Sequence, residues 1–86
     1  MHKTFYPQGT CSRQIDIELS DDGIIRQVNF TGGCAGNTQG VARLVEGMPA
    51  ERAIELLHGI DCKGKGTSCP DQLSLALTEA LAQGKN

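Results

Sequence analysis

Aromatic residues are nearly missing from this chain: it has no Trp, and Phe5, Tyr6 and Phe30 make up the whole set. Leu, Ile, Val and Ala must then fill the core. At 86 residues that core is thin, because a short chain buries a small share of its surface. Positive charge is scarce as well. The formal net charge is −2, which leaves no electrostatic footprint for nucleic acid. No apolar run is long enough to cross a bilayer. The opening stretch, Met1 to Pro7, lacks the apolar segment of a secretory signal, so a cytoplasmic protein is expected. Repeats, low-complexity tracts and linkers are absent too, and residues 1–86 read as a single domain.

What the chain does contain is four cysteines, Cys11, Cys34, Cys62 and Cys69. A reducing cytosol keeps thiols free. In a chain this small, four of them point to metal ligands or redox thiols ahead of structural disulfides. The single four-cysteine domain is therefore expected to gather all four around one centre, zinc or an iron–sulfur cluster.

The first half reads as strand. Ile15, Ile17 and Leu19 alternate with Gln14, Asp16 and Glu18, the period of a half-buried strand. Asp22-Gly23 follows as a two-residue hairpin signal, and Ile24 to Thr31 is the return strand, with Val28 and Phe30 on one face. The second half reads as helix. Asn37 and Thr38 are candidate caps for a helix through Val41, Leu44 and Val45, ended near Gly47. Pro49 suits the first turn of another, Ala50 to about His58, with Ile54 and Leu57 turned inward. Pro70 opens the last, with Leu73, Leu77, Ala80 and Leu81 as its buried stripe and Gly84 as its stop. Strands followed by helices predict an α+β sandwich with the helices on one sheet face.

The hairpin turn sets a register. With Asp22-Gly23 at its centre, Ile17 faces Val28, Ile15 faces Phe30 and Cys11 faces Cys34. Opposed side chains have Cβ atoms about 4.5–5.5 Å apart. Gly32-Gly33 is the place where a bulge would disturb this pairing. Cys62 and Cys69 flank Lys63-Gly64-Lys65-Gly66-Thr67-Ser68, a loop able to fold both thiols onto one ion, although it is not the tight knuckle of zinc ribbons. Cys69 stands at a helix start, and Cys34 just ahead of one, where the helix dipole favours a thiolate. Four thiolates around a dipositive centre leave a charge of about −2, which Lys63, Lys65 and Arg13 are placed to offset. A structural zinc adds roughly 10–16 kcal/mol of apparent binding energy, enough to rescue a thin core.

Other polar residues read more plainly. His58 ends a helix rather than ligating metal, and His2 lies in an N-terminal tail with no role assigned. Glu51, Arg52 and Glu55 form a solvated helix face. Gly59 to Thr67 comes close to a phosphate-binding loop. Gly66 stands where a Ser or Thr should hold magnesium, however, and no parallel strand precedes it. No catalytic residues are assigned, because no base–nucleophile pair accompanies the thiols; the chain is not expected to be an enzyme alone.

Thr67-Ser68-Cys69-Pro70-Asp71 resembles the signature of the TSCPD-domain family, and the similarity runs from about Cys11 to Leu81. It is similar to the stand-alone four-cysteine branch, which implies Cys11, Cys34, Cys62 and Cys69 as the ligand set. A related domain ends many adenosylcobalamin-dependent ribonucleotide reductases. The resemblance therefore also implies a thiol redox or accessory role, with such a reductase as partner, although the reductase's catalytic barrel and radical cysteine have no counterpart here. A more distant run, through Cys11, Asp22-Gly23-Ile24-Ile25, Val28, Phe30, Gly33-Cys34, Leu44-Val45 and Gly47, resembles NifU/IscU-type iron–sulfur scaffold proteins. It implies a three-stranded antiparallel sheet covered by about three helices, with Cys11, Cys34 and Cys69 matching the scaffold cysteines in order and a cluster acceptor as partner. The chain departs from that pattern in carrying Arg13 where scaffolds have Asp, Ser68 where they have His, and Cys62 as an extra thiol.

Overall fold

Alternation along the chain decides the sheet, and the computed structural model follows it closely. It describes residues 1–10, 12–32, 35–60, 64 and 66–84. The elements run β1 (His2–Phe5), β2 (Ser12–Leu19), β3 (Ile25–Gly32), α1 (Ala35–Val45), α2 (Ala50–Leu57) and α3 (Cys69–Gly84). The sheet is antiparallel in the order β1-β2-β3, and the expected α+β architecture of three strands followed by three helices is the one observed.

Central strand β2 buries Ile15, Ile17 and Leu19 on one face. Its other face carries Asp16, which accepts hydrogen bonds from Thr4 Oγ1 and Gln14 Nε2, both at 2.8 Å. The predicted pairs Ile15↔Phe30 and Ile17↔Val28 are both present. His2, assigned to a tail, instead begins β1 and pairs with Glu18. Backbone pairing to β2 and the Lys3 Nζ–Glu79 Oε1 ion pair at 3.3 Å hold that short strand.

Two predictions about the hairpin are corrected. The turn is centred on Asp21-Asp22, since the Gly23 N–H donates to Ser20 O at 3.0 Å and the Ser20 N–H to Ile24 O at 2.9 Å. Gly23 takes the left-handed conformation that follows such a turn, with φ +83°. The Ser20 hydroxyl stabilises the turn by accepting from the Ile24 N–H and donating to Asp22. The pairing then shifts once between Glu18 and Leu19 and again between Ser12 and Gln14, so that Ser12 faces Gly32. The anticipated disturbance sits at Arg13 on β2, and the register that set Cys11 opposite Cys34 ends at Gln14. Cys11 and Cys34 themselves lie outside the described residues. The bulge has a geometric effect: Ser12, three positions before Ile15, turns to the buried face of the sheet and is 3% exposed.

Helices cover that face. α1 starts earlier than predicted, so Asn37 and Thr38 lie within it and are not its caps. Thr38, Ala42 and Val45 are buried at helical spacing, which places Thr38 on the packed stripe. Gly47, with φ +91°, ends the helix and donates to Ile25 O at 2.7 Å. The connection to α2 stitches itself along the start of β3, through Ile25 N–H to Met48 O and Ala50 N–H to Gly23 O. α2 follows Pro49 as expected, with Glu51, Arg52 and Glu55 exposed. It turns Ala50 and Ala53 fully inward, while Ile54 and Leu57 pack partly buried beside them. α3 buries Leu73, Ala76, Leu77 and Ala80 completely, and Leu81 sits at the margin. The small residues Ala53, Ala76 and Ala80 let side chains of α2 and α3 join one core with the β2 isoleucines.

Candidate functional site

The first turn of α3 is where separate parts of the chain meet, and its sequence explains how. Ser68 precedes the helix. Its hydroxyl accepts the Asp71 N–H at 3.1 Å, and its carbonyl accepts the Gln72 N–H at 2.8 Å. Both are marks of an N-cap. Cys69 is then the first helical residue, and Pro70 occupies a position whose missing N–H has no intrahelical partner to lose. The pattern Ser68-x-x-Asp71 ahead of an apolar run is a capping-box signature, a signal in the sequence that the thiol-centred reading passed over.

Asp71 departs from that box. In place of the cap's own N–H, its Oδ2 accepts from Thr67 Oγ1 at 2.6 Å and its Oδ1 accepts the Gly59 N–H at 2.7 Å. Burial raises the pKa of a carboxylate, but here the Thr67 hydroxyl and then the Gly59 N–H outweigh it, with the nearby His58 assisting. Asp71 is therefore held below its ordinary value. His58 Nδ1 lies 3.6 Å from Asp71 Oδ1 and caps the C-terminus of α2, as its sequence position suggested.

From this turn the bonds reach outward. Ser68 Oγ donates to Ile60 O at 2.6 Å, fixing the chain two residues before Cys62. Gln72 Nε2 donates to Thr67 Oγ1 at 2.9 Å, and its Oε1 accepts the Gln8 N–H at 3.1 Å, fixing the loop that leads to Cys11. Gly9 completes that loop with φ +74°; a Cβ there would come within 3.2 Å of the Thr67 methyl. Only glycine meets both demands without strain. Finally, Ser12 Oγ lies 2.9 Å from Cys69 Sγ, which joins the residue after Cys11 to the thiol of α3. Ser12 also faces Gly32, two residues before Cys34.

Of the four expected ligands, Cys69 alone is described; it carries a free, partly buried thiol. Cys11, Cys34 and Cys62 lie outside the described residues, as do Lys63 and Lys65, expected to balance their charge. Arg13 is described and is solvent-exposed beside the bulge. Among the described residues no group of three or more His, Cys, Asp or Glu could hold a metal ion. Of the donors a thiophilic metal would take, the described residues supply the Cys69 sulfur at this junction. A free sulfur sits at a helix N-terminus with a hydroxyl against it, and Thr10 Oγ1, just before Cys11, is buried with no hydrogen-bond partner among the described residues. The element that leads into the Gly59–Thr67 stretch is helix α2. No helix among the described residues is long and apolar enough to cross a membrane.

Fold and junction together define a small α+β domain in which Gln8, Ser12 and Ile60 are bonded around the start of its last helix. The TSCPD-domain family model matches residues 1–81. The chain belongs to that family. No curated protein and no solved structure matches it, and the likeness to iron–sulfur scaffolds rests on the sequence run alone.

Proposed function

We propose that this protein is a metal-binding module that holds zinc or an iron–sulfur cluster through Cys11, Cys34, Cys62 and Cys69. The observation that carries the reading is the convergence at the first turn of α3. There the Cys69 sulfur meets Ser12, and Ile60 and Gln8 are bonded to residues within three positions of Cys69. A described neighbour of each remaining cysteine is thus tied, directly or through strand pairing, to one small region. A thiolate centre at that point would cross-link segments distant in sequence.

Elemental analysis and an absorption spectrum of protein purified without oxygen test the proposal. About one zinc per chain with no visible colour, or iron and sulfide with charge-transfer bands, supports it. A folded protein with neither, its four thiols freely reactive, overturns it. The free thiol of Cys69 also favours a second reading, a dithiol that passes electrons to a partner such as a ribonucleotide reductase. That reading requires a reversible disulfide near the cytosolic potential, and thiols that stay unreactive until metal is removed exclude it. Cluster delivery to an acceptor is a third use of the same cysteines, tested by transfer of a reconstituted cluster to an apo-ferredoxin.

A further inference from the structure

Ser12 is an unusual residue to find buried at the end of a core strand. At 3% exposure its hydroxyl needs a partner, and among the described residues Cys69 Sγ lies at hydrogen-bond distance, 2.9 Å away. The strand does not reach this arrangement by regular pleating. Counting back from Ile15 by twos leads to Arg13, which faces solvent, and the shift between Ser12 and Gln14 brings Ser12 inward in its place. The bulge therefore aims a hydroxyl at a sulfur. In the free thiol either partner can donate. Once Cys69 binds a metal as thiolate, only the hydroxyl still carries a proton, so the direction of the bond is fixed and the bond becomes charge-assisted.

We propose that Ser12 is a positioning residue of the thiolate centre: its hydroxyl donates to the Cys69 sulfur, orients it and withdraws electron density from it. This rests on the metal-binding reading. Hydrogen bonds to ligand sulfurs are among the factors that set cluster potential and ligand strength. Loss of the Ser12 hydroxyl should leave Cys69 a stronger electron donor held in a looser position.

Cobalt(II) is the probe, because cobalt–thiolate charge transfer reports the electron density on sulfur. Wild-type protein should show intense near-ultraviolet cobalt–thiolate bands. Ser12→Ala should bind cobalt roughly ten- to hundred-fold more weakly in chelator competition, with the charge-transfer band moved to lower energy, and Ser12→Thr should restore the wild-type position. A looser fold alone would weaken binding without moving the band. Should Ser12→Ala not fold, the matched pair Ser12→Thr and Ser12→Val makes the same comparison at nearly constant side-chain volume. Identical bands with and without the hydroxyl overturn the role of Ser12 while the metal site stands. Wild-type protein lacking cobalt–thiolate bands overturns the role of Ser12, and the metal-binding reading as well where the purified protein holds neither zinc nor iron.

Discussion

Asp71 bonds through both carboxylate oxygens to chain that does not belong to its own helix, Thr67 on one side and Gly59 on the other. Replacing it with Ala removes two part-buried hydrogen bonds to a charged group, at a cost of roughly 1–3 kcal/mol, measurable by urea denaturation. The cost depends on pH with a definite sign. Because the folded protein holds Asp71 below the ordinary carboxylate value of about 3.9, folding favours the ionised form. The stabilisation is complete above that value and is lost as pH falls through the lower folded value. The stability gap between wild type and Asp71→Ala should thus be constant near neutrality and close below about pH 4; a gap that widens on acidification would contradict it. Sequence reasoning gave Cys69 and Pro70 a part here, quoted Thr67, Ser68 and Asp71 only as a family signature without a capping role, and passed over Gln72. Their capping role was legible from Ser68-x-x-Asp71, but the partners Gln8, Gly59 and Ile60 were not. Sequence spacing says nothing of which distant loops a cap's spare acceptors will reach.

At the scale of elements, the apolar alternation of Ile15, Ile17 and Leu19 allows one face to be buried and so was readable, as were the return strand and the heptad-like stripe of α3. The register faltered at both ends because a bulge costs little in sequence terms. Ser20 and Asp22 enclose the turn with their side chains, and Arg13 can face water without breaking the core pattern. α1 was started too late because Asn37 and Thr38 resemble caps, whereas Thr38 lies on the packed side of the helix. The α3 stripe gives a direct test. Leu77→Ala removes a fully buried side chain and should destabilise the domain by about 2–5 kcal/mol. Leu75→Ala, on the 38% exposed side of the same helix, should stay within about 0.5 kcal/mol of wild type. Thermal melts of the two variants separate a packed helix from one that merely adheres.

On the scale of the whole molecule, the sheet provides a rigid face and α3 fastens the remainder to it. The fold class and the order of strands before helices were open to reading, since they follow from periodicity. The register that set Cys11 opposite Cys34 ends at the bulge before Gln14, and the contacts made around Cys69 arise instead from a helix cap and that bulge. Because the approach to Cys11 and the exit from α2 both hang on the same helical turn, they share one latch. Fraying that turn releases the Gln8, Gly59 and Asp71 amides together. Their deuterium uptake should follow a single protection factor, well above that of the exposed helix ends and moved in concert by Asp71→Ala. Three unrelated uptake rates would mean three independent hinges. A shared rate makes this end of the protein a gate that is either shut or fully open, with no half-released state in which one loop lets go alone.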